Sequence, residues 1–225
     1  MMGEEREEMS LHASIPFQSS SNPPQAMCKT NRSGKSAVLT KKQLESFLGN
    51  LPEKYSLLAE VMYYSAGRVK EIASLKVRNI NLKESLLTIE KSSTKTKETR
   101  QIPLPHSLVE NLSNWMTANK LRSSDLYIFF TDSKNTKYKK GEKHISTQSI
   151  DEYFRKAFDW IGVEGASTHS FRRTRLTQLH IEYNWSLREI MDISGHKSIM
   201  SLQQYLDTDK KVTHDKYREL LEKES

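Results

Sequence analysis

The residues of this sequence whose types and spacing could do chemistry fall into two stretches. Within residues 168–206, THSFRRTRLTQLHIEYNWSLREIMDISGHKSIMSLQQYL, His169 and Arg172 stand three apart at the start of a helical pattern and so share one face. Gly195-His196 falls at a helix-to-helix turn, and Tyr205 follows nine residues later. Upstream, SAGRVKEIASL sets Arg68 directly after a glycine with Glu71 one turn on, and Lys95 lies in a polar turn eight residues before Pro103. Arginine stays charged and offers parallel donors to an oxyanion, imidazole exchanges protons near neutral pH, and a tyrosine oxygen can form a covalent intermediate. Together these types would hold an anion and move protons beside it. Singly, each also has an ordinary structural reading. Tyr205 could pack in a helix core beside Leu202 and Leu206, His196 could cap a turn, and Arg68 with Glu71 could be a surface ion pair of little worth.

The elements that would position these groups are mostly helical. Residues 1–36 read as a flexible polar tail or linker, rich in Ser, Pro, Asn and Gln from residue 10 onward, and residues 37–225 as one folded domain. Thr40 with Gln43 makes a capping-box pattern that opens a helix through Phe47, with Gly49 as its stop. Leu57, Leu58, Val61 and Met62 recur at helical spacing, a short helix follows Gly67, and Leu108, Leu112 and Trp115 mark another. Residues 86–91 and 100–104 read as two strands flanking a lysine-rich turn, whereas YIFFT at 127–131 fits helix or strand equally. Ile150, Tyr153, Phe154, Ala157, Phe158 and Ile161 line one face of the clearest amphipathic helix. A helix is expected from about His169 to Tyr183, and a second capping box, Ser186 with Glu189, opens one that Gly195 ends. Ser198 and Thr208 suit N-caps of two last helices. The expected class is α+β, mostly α-helical, with a small antiparallel sheet.

Charge narrows the partner. The net charge is +7, and since four acids and four bases cancel within residues 1–35, the whole excess belongs to the remainder. It concentrates in KSSTKTKETR at 91–100 and KNTKYKKGEK at 134–143. Basic surface suits a polyanion such as DNA, because each neutralised phosphate releases counterions; a solvated lysine-rich surface is the plain alternative. The start, MMGEEREEMS, lacks the basic and apolar segments of a secretory signal, no apolar run is long enough to span a bilayer, and a single cysteine excludes an internal disulfide. These features suit a soluble intracellular, cytoplasmic protein, with association to the nucleoid following only if it binds DNA. No carboxylate cluster or cysteine pair has metal-ligand spacing, so the residues themselves signal neither metal nor other cofactor.

In order and interval, HSFRRT, SGHKS and the trailing Tyr205 resemble the C-terminal boxes of the tyrosine recombinases, the family of phage integrases and chromosome-dimer resolvases. GRVKEIASL is similar to that family's first arginine box, and KTKETRQIPL to its β-hairpin lysine box; the resemblance covers roughly residues 40–210. It implies a site-specific DNA recombinase, or a mobile-element integrase, that cuts and rejoins strands through a 3′-phosphotyrosine on Tyr205. Arg68 and Arg172 would stabilise charge on the phosphoryl oxygens, Lys95 would protonate the leaving 5′-oxygen, His169 would accept or return the tyrosine proton, and His196 would hydrogen-bond the phosphate. Glu71 would orient Arg68, while Lys91, Lys97, Arg100 and Arg173 would contact DNA. Lys97 rivals Lys95 as the acid, since a two-residue slip of the hairpin exchanges them. The phosphotyrosine keeps the bond energy, so rejoining would need no ATP. Double-stranded DNA is the implied partner, bound by a homotetramer whose C-terminal segment docks on a neighbour, with accessory DNA-binding proteins as further partners. Only about 35 polar residues precede the match, too few for the N-terminal DNA-clamping domain usual in the family. A type IB topoisomerase-like enzyme and a non-cutting DNA-binding regulator on the same scaffold are the competing functions.

Overall fold

The computed structural model describes residues 36–91, 98–132, 136–206 and 210–224. The expected helices are there, in order: α1 (Lys41–Gly49), α2 (Glu53–Tyr64), α3 (Val69–Ala73), α4 (His106–Ala118), α5 (Thr147–Trp160), α6 (Thr168–Ile181), α7 (Leu187–Ser194), α8 (Ile199–Gln203) and α9 (Lys210–Glu224). Local chemistry explains several boundaries. The Thr40 hydroxyl accepts the Gln43 backbone N–H while the Gln43 side chain accepts that of Thr40, closing the expected capping box. Ser186 and Glu189 do the same for α7, and Gly195 ends that helix at φ 68°, a left-handed turn that glycine adopts without steric cost. Ser198 caps α8 as expected. Thr208, read as the cap of the last helix, lies outside the described residues.

A three-stranded antiparallel sheet, in the order β1 (Ile80–Asn81), β2 (Leu86–Ile89), β3 (Arg100–Pro103), occupies the stretch between α3 and α4. The register sets Leu87 against Ile102 and Ile89 against Arg100, and Leu87, Ile89 and Ile102 are buried. β1 is only two residues long, too short to carry an alternating pattern. YIFFT resolves into neither helix nor strand: Tyr127 and Phe130 make isolated bridges to Lys76 and His144, and Ile128, Phe129 and Phe130 are buried in succession. Burial on both sides erases the period that tells strand from helix.

Two apolar clusters hold the elements. In the larger, Phe47 of α1 stacks on Phe158 of α5 at 4.1 Å between centroids and meets Phe154 edge-on at 5.3 Å. Phe171 of α6 closes the group at 5.5 Å from Phe154. Each fully buried aromatic of this kind contributes roughly 2–3 kcal/mol by area alone, and Phe171 thereby sets the rotation of α6 and aims its neighbour Arg172. The smaller cluster gathers Ala66, Leu176, Leu179, Ile190, Leu202 and Leu206, with Tyr205 packed against it. It lies beneath the turns that carry the chemistry.

Candidate active site

Three turns and one helix face converge. The first turn, between α2 and α3, is tight for a stated reason. Ala66 sits at φ 46°, and a Cβ on Gly67 would come within 2.6 Å of Ile72 Cδ1. Arg68 follows as the N-cap residue of α3; its backbone N–H donates to Glu71 Oε2 at 2.9 Å and its Nη1 to Glu71 Oε1 at 3.0 Å. Far from a surface pair, Glu71 is 1% exposed and also accepts Nη2 of Arg100 from β3 at 2.7 Å. Burial alone would raise the Glu71 carboxyl; hydrogen bonds and charge from Arg100 and Arg68 overcome it and leave the group below the ordinary carboxylate range.

On α6, His169 and Arg172 occupy the first turns as expected. Arg172 is wholly buried. Its Nη1 donates to the carbonyl of Ala66, tying α6 to the first turn, and its Nη2 to the carbonyl of Ser194 at 2.9 Å, tying α6 to the α7–α8 turn. The same Nη2 lies 3.1 Å from Nε2 and 3.2 Å from Nδ1 of His196, while Ser194 Oγ is 2.7 Å from Nδ1. The Tyr205 ring covers this assembly, its centroid 5.0 Å from that of His196 and 5.3 Å from Cζ of Arg172. Tyr205 is therefore not inside a helix; it follows α8 in a turn, half-buried.

The histidines are held neutral. Burial, then the cations of Arg172, Arg68 and Arg100, lower His196 from 6.5 to about 3. His169 is exposed on the helix surface, yet desolvation by surrounding atoms and the charges of Arg172 and Arg68 lower it too, against a small opposing pull from Asp151. Burial and repulsion from Arg68 likewise push the Arg172 guanidinium below its ordinary value. One electrostatic neighbourhood thus contains Arg68, Glu71, Arg100, His169, Arg172, His196 and Tyr205. At neutral pH its charge is positive and both imidazoles are unprotonated, His196 the more resistant to taking up a proton.

Of the other site residues read from sequence, Lys95 and Lys97 lie outside the described residues. Lys91 is exposed at the foot of the hairpin, with its backbone N–H on Thr99 Oγ1. Arg100 and Arg173, expected to contact DNA, are both covered here by the protein itself. Arg100 is covered and committed to Glu71, and Arg173 is 4% exposed with Nη1 on the carbonyl of Ser36, where it tethers the incoming chain. Sequence reasoning missed Ser194 and the Ala66 carbonyl as partners of Arg172; a backbone carbonyl leaves no residue-type signal. Beside the site a polar cleft of about 430 Å³ is lined by Glu98, Arg100, Arg188, Asp192, His196 and Lys197, among others. Among the described residues, no group of three or more His, Cys, Asp and Glu gathers as a metal site.

A helical scaffold with one small sheet thus brings two arginines, two histidines and a tyrosine together. The phage integrase family profile matches residues 37–212. Tyrosine recombinase XerA of Pyrococcus horikoshii is 28% identical over 183 residues, 81% of this chain and 58% of its own, and XerA of Pyrococcus furiosus 25% over 170 residues, 74% of this chain and 56% of its own. The chain thus spans somewhat over half the length of these relatives. Among solved structures, a XerA recombinase superposes with a TM-score of 0.67 at 19% identity, covering 81% of this chain and 64% of that one. The Tn1549 transposon integrase in complex with transposon right-end DNA superposes with a TM-score of 0.64 at 12% identity, covering 85% of this chain and 68% of that one. The chain belongs to the phage integrase family.

Proposed function

We propose that this chain is the catalytic domain of a site-specific DNA recombinase or integrase. The observation that supports it most is the gathering of Tyr205 and His196 around the buried Arg172, with the Arg68 charge acting on Arg172 and His196. In this reading the Tyr205 oxygen attacks a DNA phosphorus and bonds to it, giving up its proton to the neutral His169. The bond to the 5′-oxygen breaks, and Lys95 supplies the proton that makes a 5′-hydroxyl. Charge building on the non-bridging oxygens meets Arg68 and Arg172, while His196 donates one further hydrogen bond. Reversal by a 5′-hydroxyl of another strand restores the phosphodiester and frees Tyr205, so the cycle consumes no ATP. The guanidiniums supply the transition-state charge in place of a metal.

As it stands, Arg172 is wholly buried with its Nη groups on the Ala66 and Ser194 carbonyls and beside His196, so a phosphate reaches it only after these groups rearrange. On α9, Tyr217, Leu220 and Leu221 are exposed, which suits docking on a second protomer in a DNA-bound tetramer, with accessory DNA-binding proteins able to join it. Among the described residues no helix is long and apolar enough to cross a membrane, in keeping with work on intracellular DNA.

The test is covalent capture. Wild-type protein and Tyr205→Phe are incubated in EDTA with sheared genomic DNA of the source organism, denatured in detergent, and the protein-linked DNA is sequenced. Tyr205-dependent linkage at one inverted-repeat site supports the proposal. Linkage spread over the genome favours a topoisomerase, and absence of linkage where DNA binds favours a non-cutting regulator.

A further inference from the structure

We propose that Arg100 is a positioning residue: through the buried Glu71 it holds Arg68, and beside Gly195 it holds the turn that carries His196. This rests on reading Arg68 and His196 as groups that meet the scissile phosphate. The two arginines share both oxygens of the Glu71 carboxylate. Oε1 accepts Nη1 of Arg68 at 3.0 Å and Nη1 of Arg100 at 3.5 Å, and Oε2 accepts Nη2 of Arg100 at 2.7 Å together with the Arg68 backbone N–H at 2.9 Å. With Glu71 1% exposed, no solvent competes for those oxygens. The Arg68 guanidinium therefore inherits its orientation from a carboxylate that Arg100 clamps from the opposite side.

The second contact is steric. A Cβ on Gly195 would stand 3.1 Å from Nη1 and 3.4 Å from Cδ of Arg100, so the guanidinium fills the space a side chain would take there. Gly195 precedes His196 directly, and the Ser194 carbonyl on its other side receives Arg172. Arg100 thus touches the arginine turn and the histidine turn at once, from a strand whose register with β2 is fixed at Ile89.

Its environment argues against a phosphate contact. The side chain is 8% exposed, its Nη groups face Glu71, and its Nε is buried without a hydrogen-bond partner. On charge alone a third guanidinium opposes Arg68 and Arg172; the carboxylate between them turns that cost into a brace. A lysine would keep the charge but lose both the planar fork and the volume beside Gly195.

The experiment compares wild type, Arg100→Lys, Arg100→Met, Glu71→Gln and the Arg100→Met/Glu71→Gln double variant as full chains. The probe is a fluorescein-labelled duplex of the sequence that wild-type protein captures. The rate of Tyr205–DNA linkage at saturating protein is expected to fall about 100-fold in Arg100→Met, roughly what losing one transition-state donor costs. Arg100→Lys should restore part of that rate. The dissociation constant should stay within about twofold and its salt dependence should not change, since no phosphate contact is lost. The double variant should be no slower than the slower single one, because both act on one carboxylate. An unchanged saturating rate overturns the proposal, as does weaker binding with a salt slope reduced by about one.

Should Arg100→Met fail to fold, Arg100→Lys carries the test by arginine side-chain ¹⁵N NMR. The Arg68 Nε–H signal should broaden in the variant relative to wild type, and an unaltered signal overturns the brace. That readout needs no cleavage. Loss of linkage by the wild type itself would therefore count against the recombinase reading alone.

Discussion

Acidification should destabilise this domain through His196, and the amount can be worked out. The folded ring is lowered from 6.5 to about 3 by burial and by Arg172, Arg68 and Arg100. Between those values the unfolded ring binds a proton that the folded ring refuses. Stability is therefore intact above 6.5, falls as the pH drops below it, and stops falling near 3. At pH 5 the unfolded ring lies 1.5 pH units past its midpoint and the folded ring is still neutral, which costs ~2 kcal/mol at about 1.4 kcal/mol per unit. For a domain of this size that is a drop of about 4–8 °C in melting temperature. Glu71 does not confuse the window, because its folded value lies below the ordinary carboxylate range and its loss begins only under about pH 4.5. The assay is urea unfolding of wild type and His196→Asn at pH 7 and pH 5. Wild type should lose about 2 kcal/mol more than the variant over that interval. Equal losses would refute the reasoning, since they would mean that His196 is not held neutral by its cationic neighbours.

Other changes should act through named contacts. Glu71→Gln removes a buried charge shared by two guanidiniums and should cost about 3–5 kcal/mol, read from denaturant midpoints at pH 7. Gly195→Ala forces a side chain to φ 68° against Arg100 and should cost roughly 1–3 kcal/mol of stability, with a larger fall in cleavage than in DNA binding. Lys95→Ala should slow cleavage of ordinary DNA yet spare a substrate whose leaving group needs no proton. If Lys97→Ala behaves that way instead, the acid is Lys97.

Much of the scaffold was legible because it rests on local rules. Thr40 with Gln43, Ser186 with Glu189, and Gly195 mark helix ends through hydrogen bonds and backbone freedom that neighbouring residues decide. The face of α5 was readable from Ile150 to Phe158 because one side packs and the other is wet. β1 and the 127–131 segment were not, since two residues carry no period and continuous burial hides one. In the site, the grouping of Arg68, His169, Arg172, His196 and Tyr205 was expected from the resemblance of their boxes to those of the tyrosine recombinases, since singly each residue has an ordinary structural reading. The pairing of Arg100 with Glu71 was not legible, because Glu71 is 29 residues away in the chain and only the folded sheet brings them together. The bond from Arg173 to the Ser36 carbonyl was not legible either, because a backbone acceptor distant in the chain leaves no residue-type signal.

The central claim, that Tyr205 becomes covalently joined to DNA, is tested most directly by peptide mapping. Captured protein–DNA complex is digested with nuclease and protease, and the peptides are sequenced by mass spectrometry. The account predicts a nucleotide remnant on the peptide carrying Tyr205, placed on that residue by fragmentation and lost in Tyr205→Phe. A remnant on another side chain, or capture that survives Tyr205→Phe, would contradict it.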